Sequence, residues 1–228
     1  MTSAALAASA HQTLNRYEVK YLVDTRRIPT LLAEVAPYTR PDPHSPEWGY
    51  PIHSVYWDTD DLRFFWEKIE GLKTRRKLRF RRYADSDEVY VEIKQRLDRT
   101  LHKRRIKLPL AAALDGFGQG EHSMDWSAFA DDVVATEIAM MIERHHLRPR
   151  MAIRYRRRAL FGAFDPELRV TFDGRLRYHP TDLSLATPFD GGHDIIDPRL
   201  SVMEIKYDHR APTWLTKTIR RHGLEMVR

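Results

Sequence analysis

The sequence predicts an α+β fold dominated by antiparallel strands, closed into a β-barrel tunnel with a charged lumen and helices packed outside. Two observations predict it. Acid and base recur together at two- or four-residue spacing within short β-branched or aromatic segments: Glu18 and Lys20, Arg79 and Arg81, Glu92 and Lys94, Arg169 and Asp173, Glu204 and Lys206. The positions between them are apolar: Val19, Leu78 and Phe80, Val91 and Ile93, Val170 and Phe172, Met203 and Ile205. Side chains alternate faces along a strand, so each segment has one charged and one apolar face. A small barrel is normally filled by its own side chains. Charge of both signs on one face of strand after strand therefore points to a polar space, and the surplus of cations points to a polyanion within it.

Each element follows from local chemistry. Residues 16–23 read as a strand and 28–38 as a short amphipathic helix, broken by a loop at Pro41, Pro43 and Pro46. A strand over 52–57 leads through Asp58, Thr59 and Asp60, each able to cap a helix that ends near Gly71. Residues 77–83, 89–94 and 100–108 form a meander with turns at Asp85, Ser86 and Asp87 and at Leu97 and Asp98. A loop with Gly116, Gly118 and Gly120 precedes a helix over 131–146. Strands follow at 151–160, 168–172 and 202–207, and a closing amphipathic helix covers 213–222. No internal repeat or linker interrupts residues 15–228, which are expected to form one domain behind a disordered tail at 1–14.

The 228 residues, 42% hydrophobic, suffice for a core. A net charge of +6 favours an anionic partner: nucleic acid, an acidic membrane surface or a phosphate-rich molecule. The absence of cysteine excludes disulfides, thiolate metal sites and cysteine nucleophiles, and fits a reducing, cytoplasmic setting. No stretch approaches the roughly 18 apolar residues of a membrane span, so any membrane association is expected through a partner protein.

The chemistry concentrates in basic strands. Residues 73–82 are dense in Lys and Arg; Lys77, Arg79 and Arg81 share a face, and the run His102 to Lys107 is basic again. A solvated edge strand or a nonspecific nucleic-acid patch would explain the first segment alone. Lys94, Arg157 and Arg169 on further strands favour a channel for phosphates, which arginine forks grip bidentately and lysines meet as point charges. Glu18, Glu92, Asp173 and Glu204 either neutralise these cations or hold a divalent ion that bridges phosphate oxygens. Neither a Walker A loop nor a dinucleotide loop, nucleophile elbow or H-E-x-x-H motif is present. His145 and His146 close a helix, where cations complement the dipole. Trp57, Phe64, Phe65 and Trp66 read as core or staple residues.

Taken together, the motifs resemble those of VTC-domain polyphosphate polymerases, a branch of the CYTH-like triphosphate tunnel metalloenzymes. RYEVKYLV resembles the first tunnel strand and gives Lys20. SVYWDTDDLRFFWEKIEG resembles the next motif and places Lys68 at its basic position. KLRFRRY supplies Arg79 and Arg81, VYVEIKQ supplies Lys94, and HKRR supplies Lys103. AIRYRRRALF and LRVTFD supply Arg157, Arg169 and Asp173, and VMEIKYDHRAPTWL supplies Glu204 and Lys206.

The resemblance implies a triphosphate tunnel fold and transfer of the terminal phosphate of ATP to polyphosphate with Mn²⁺ or Mg²⁺. Lys20, Arg79, Arg81, Lys94, Lys103, Arg157 and Arg169 would be the catalytic phosphate-gripping residues. Lys68, Lys206 and Arg228 would bind substrate, and Glu204, Glu18 and Asp173 would bind metal. Family members continue past the last helix with F-S-K-Y or similar, whereas this sequence stops at Arg228, so a missing last strand with binding but weak turnover is expected. A triphosphatase or a non-catalytic polyphosphate- or RNA-binding module are the alternatives. No specific nucleic acid is expected, because the inner positions are mostly charged rather than stacking platforms.

Overall fold

A computed structural model describes residues 16–43, 45–46, 49–98, 100–115 and 125–227. The tail at 1–14, the glycines at 116, 118 and 120, and Arg228 lie outside the described residues. The strands are β1 (Arg16–Asp24), β2 (Thr39–Pro41), β3 (Tyr50–Asp58), β4 (Thr74–Tyr83), β5 (Glu88–Leu97), β6 (Thr100–Pro109), β7 (Arg148–Gly162), β8 (Arg169–His179), β9 (His193–Asp194), β10 (Leu200–Asp208) and β11 (Met226–Val227). The helices are α1 (Ile28–Val35), α2 (Arg63–Ile69), α3 (Leu110–Asp115), α4 (Val133–His145) and α5 (Thr213–Arg221). None of them is long and apolar enough to cross a membrane. The chain divides into two compact units interleaved in sequence, so that β3 and β7 each contribute residues to both.

Unit one holds Ser54–Ala152 and Pro180–Pro188. Its sheet is the antiparallel meander β4–β5–β6, with β3 next to β4. The register sets Leu78 opposite Ile93, Phe80 opposite Val91, and Val91 opposite Ile106. These side chains are buried together with Phe64 of α2, Ala113 of α3 and Val134, Ala135 and Ile138 of α4. Trp57 stacks on Phe80 with ring centroids 5.0 Å apart. Fully burying each large apolar side chain stabilises by about 1.5–3 kcal/mol, so this face fixes the strands' orientation. Asp132 caps α4 by accepting from the Val134 and Ala135 amides at 2.7 and 3.0 Å.

Unit two holds Asn15–His53, Ile153–His179 and Phe189–Arg228. The strand order β11–β1–β10–β8–β7 forms its sheet, with β2 on β7 and β9 on β8. Tyr21, Val23, Val170, Phe172, Met203 and Ile205 bury one face against Leu31 and Val35 of α1 and Leu215 of α5.

The expected antiparallel sheet with helices on its apolar side is present. Closure into a barrel is not: in each unit the sheet stays open, ending at β6 in one and β11 in the other, and among the described residues no ladder closes either on itself. β6 presents exposed Lys103, Arg105 and Lys107, charges that guard an edge against adventitious pairing. Pro37 limits α1 to Val35 and turns residues 36–38 into a 3₁₀ segment. Part of the expected proline loop is the short strand β2, and α3 stands where only a loop was expected. Trp57 and Phe64 are core as expected, but Phe65 and Trp66 are about half exposed.

Candidate functional site

Each unit carries a charged face opposite its apolar one. In unit one the register aligns Lys77, Lys94 and Lys103, then Arg79, Glu92 and Arg105, then Arg81, Tyr90 and Lys107 across β4, β5 and β6. Glu92, only 2% exposed, sits at the centre. Its Oε2 accepts from Arg79 Nε at 2.6 Å, and its Oε1 meets Lys103 Nζ at 2.7 Å. Burial alone would push this carboxyl up, but Arg79, Lys103 and Arg81 outweigh it and hold the pKa at about 2. Arg81 is buried and donates through Nε to Ser54 Oγ at 2.9 Å. Arg105 and Lys107 lie over the Tyr90 ring, at 5.0 and 5.6 Å. Tyr56 accepts from Arg79 Nη1 at 3.4 Å.

In unit two the register places Lys20 opposite Glu204 and Glu18 opposite Lys206. These four form an alternating ring. Lys20 Nζ is 3.0 Å from Glu18 Oε1 and 3.4 Å from Glu204 Oε2; Lys206 Nζ is 2.8 Å from Glu204 Oε1 and 3.4 Å from Glu18 Oε2. Burial opposes the charge on Lys20, yet Glu18 and Glu204 raise its pKa. On the same face Arg157 clasps Asp173. Arg169 stands 3.8 Å from Asp42 and over the Phe161 ring, and among the described residues its buried Nε has no hydrogen-bond partner. The buried Thr171 Oγ1 between Arg169 and Asp173 is likewise unpartnered among them. Arg154, fully buried, donates to His179 Nδ1 at 3.3 Å.

The structure thus gathers Arg79, Arg81, Lys94 and Lys103 on the face of unit one. It gathers Glu18, Lys20, Arg157, Arg169, Asp173, Glu204 and Lys206 on that of unit two. Lys68 joins neither: it is exposed on α2, the helix whose Phe64 enters the apolar core. Ser54, Tyr56, Arg105 and Tyr90 belong to the face of unit one without having been singled out from the sequence; period two along β3, β5 and β6 was the signal for each. His145 meets a guanidinium instead of complementing its helix dipole: Arg76 lies 3.2 Å from Nε2, which can then only accept. Burial first, then Arg76, Arg63 and Arg144, lower its pKa.

The carboxylates differ in what they offer a cation. Both oxygens of Asp173 are engaged by Arg157, leaving it poorly suited to a metal. Glu18 and Glu204 face each other's lysines, and flexible lysines can give way. Among the described residues no group of three or more acidic or histidine side chains could hold a metal alone. Two carboxylates still fit Mg²⁺ or Mn²⁺, which commonly use one or two protein oxygens together with substrate phosphates.

The VTC domain family model matches residues 15–228. The chain belongs to the VTC domain family. This VTC domain is 26% identical over 218 residues to vacuolar transporter chaperone complex subunit 4 of Trypanosoma cruzi (strain CL Brener), covering 76% of this chain and 27% of that protein. It is 22% identical over 215 residues to the subunit of the same name from Schizosaccharomyces pombe (strain 972 / ATCC 24843), covering 77% and 30%. The VTC domain here therefore spans little more than a quarter of the length of the curated relatives it matches. Among solved structures, a candidate adenylate cyclase from Bacillus halodurans aligns with a TM-score of 0.54 at 13% identity, over 94% of this chain and 95% of that one. A candidate adenylyl cyclase from Hippeastrum, described as having a dominant triphosphatase activity, aligns at 0.52 and 10% identity, over 92% and 90%. These two show a shared fold.

Proposed function

We propose that this VTC domain is a metal-dependent phosphotransferase that lengthens inorganic polyphosphate with the terminal phosphate of ATP. The observation that carries this reading is the uneven charge of the β4–β5–β6 face. Among the described residues its one deeply buried carboxylate is Glu92, paired with Arg79 and Lys103, and the same face carries Lys77, Arg81, Lys94 and Arg105. A chain of phosphates offers oxygens that arginine forks grip bidentately and lysines meet as point charges, and a row of such cations suits it. Phosphoryl transfer depends on positioning and on neutralising oxygens more than on covalent catalysis.

In this reading Arg79, Arg81, Lys94 and Lys103 grip phosphates in unit one, and Lys20, Lys206, Arg157 and Arg169 do so in unit two. Glu204 and Glu18 hold Mn²⁺ or Mg²⁺. The bound ion would neutralise phosphate oxygens as charge shifts to the leaving group. Residues 15–228 act as one catalytic module in this reading, and a protein partner is supported by the curated relatives being named as subunits of a complex.

Incubating the purified chain with ATP and Mn²⁺ and resolving products on a gel tests this. Long-chain polyphosphate, lost in Arg79→Ala, is expected. Release of inorganic phosphate without chain growth would replace the polymerase reading with hydrolysis. Tight tripolyphosphate binding with no turnover would replace it with a binding module.

A further inference from the structure

Tyr56 projects from β3 into the cation face of unit one, where Arg79, Arg81 and Lys77 of β4 surround it. A phenol has one proton to donate and an oxygen that accepts. The oxygen accepts from Arg79 Nη1 at 3.4 Å. Among the described residues nothing receives the proton. Glu92 of β5 is turned to Arg79 and Lys103, Asp58 on the same strand accepts from the Phe64 and Phe65 amides, and Arg150 of β7 is turned to Asp60. Ser54, two residues earlier on the same face, is by contrast fully buried against Arg81. Tyr56 keeps partial exposure. A donor without an acceptor among the described residues, partly exposed amid three cations, is arranged for an anion's oxygen.

We propose that Tyr56 contacts the substrate, its O–H donating to a phosphate oxygen while Arg79 holds the phenolic oxygen in place, and that phosphate binding therefore requires Tyr56 protonated. The inference rests on the reading that this face takes phosphate. It adds a ligand that is neutral at low pH and a proton linkage to the binding step. Burial raises the phenol's pKa, but Arg79, Arg81 and Lys77 outweigh it and bring it to about 8. Above that pH the phenolate loses its donor and adds a negative charge among the cations, and both changes weaken phosphate binding. Bound phosphate in turn drives the phenol's pKa up.

Calorimetric titration of tripolyphosphate into the full chain and into Tyr56→Phe, on either side of pH 8, tests this. Phenylalanine keeps the ring, and the ligand's own titration is common to both proteins. Below pH 8 the parent should bind about tenfold more tightly, the effect of one hydrogen bond to a charged group. The advantage should disappear above it. Equal affinities at every pH, or a ratio that does not change with pH, would overturn the proposal. If Tyr56→Phe melts earlier than the parent, the parent's phenolate absorbance serves alone. One tyrosine should ionise near pH 8, and saturating tripolyphosphate should move it upward; no such shift overturns the proposal. A parent that does not bind tripolyphosphate refutes the phosphate reading of the face, and Tyr56 falls with it. A parent that binds, with Arg79→Ala weakened and Tyr56→Phe unchanged, refutes the Tyr56 inference alone.

Discussion

Arg157 holds Asp173 through two parallel bonds, Nε to Oδ1 at 2.7 Å and Nη2 to Oδ2 at 2.6 Å, with each side chain only 10% exposed. Burial opposes the charge on Arg157, and the bond to Asp173 more than restores it. Breaking such a pair from one side strands a buried charge, at a cost of about 3–5 kcal/mol. Asp173→Asn is therefore expected to lose that much unfolding free energy, read from its urea denaturation curve. Tripolyphosphate should recover more stability in the variant than in the parent, since a phosphate can replace the lost carboxylate and ligand binding stabilises by mass action. The double variant Arg157→Met, Asp173→Leu should regain stability without regaining that response. A single variant as stable as the parent would show that the pair contributes nothing to folding.

Arg79→Ala and Arg81→Ala should each weaken tripolyphosphate binding by about 1.5–3 kcal/mol, the range for a hydrogen bond to a charged group. Both should remain folded. Leu78 lies next to Arg79 on the opposite face, wholly buried against the core of unit one. Leu78→Asp should accordingly abolish the cooperative melt. A tolerated Leu78→Asp together with an unfolded Arg79→Ala would mean that the face assignment is inverted.

Acid should act through Glu92. Its pKa falls from the ordinary 4.5 to about 2 in the folded chain. A depressed carboxylate contributes stability that is fully present above its unfolded pKa and is lost as pH falls through its folded one. The window is thus about pH 4.5 down to 2, and at about 1.4 kcal/mol per pH unit a few kcal/mol are at stake. Denaturant unfolding across this window should show a steep loss in the parent and a shallower one in Glu92→Gln. The variant should also be less stable at neutral pH, where Arg79 and Lys103 lose their partner. Parallel pH profiles would place the acid sensitivity elsewhere.

The alternation of charged and apolar residues was enough to read which side of β4, β5, β8 and β10 faces the core, because a one-residue slip would bury Arg79 or Lys206 and expose Leu78 or Ile205. It could not say how far a strand runs once the alternation stops: β8 continues through Gly174 and Arg175 to His179. The α2 cap was legible only in part. Asp58 does receive the Phe64 and Phe65 amides, at 2.8 and 2.9 Å, but across a turn in which Leu62 adopts a left-handed backbone. Nothing local marks that. In the basic run of β6, counting by two separates Lys103 and Arg105 from Arg104, which turns to the other face and pairs with Glu137 of α4. Counting by two along β3 puts Tyr56 on the face of Ser54, but an aromatic residue beside Trp57 reads as core until its neighbours are known to be Arg79 and Lys77.

Glu204 sets the last test, since its two oxygens are shared between Lys20 and Lys206 in the alternating ring. Glu204→Gln preserves the shape but removes one negative charge, and the pKa of Lys20, now raised by Glu18 and Glu204 against burial, should drop toward its ordinary value. If Glu204 serves only to balance the lysines, the variant should bind tripolyphosphate more tightly and respond to Mn²⁺ as the parent does. If it holds the metal, metal-free binding should stay level or strengthen while the Mn²⁺-dependent increment in binding disappears and turnover falls sharply. Isothermal titration of tripolyphosphate with and without Mn²⁺ separates the two, and the second outcome is expected. Glu18→Gln should mirror it more weakly, because Glu18 is about a third exposed against a tenth for Glu204, so water already weakens its hold on charge. Equal Mn²⁺ dependence in the parent and both variants would assign Glu18 and Glu204 to the lysines alone.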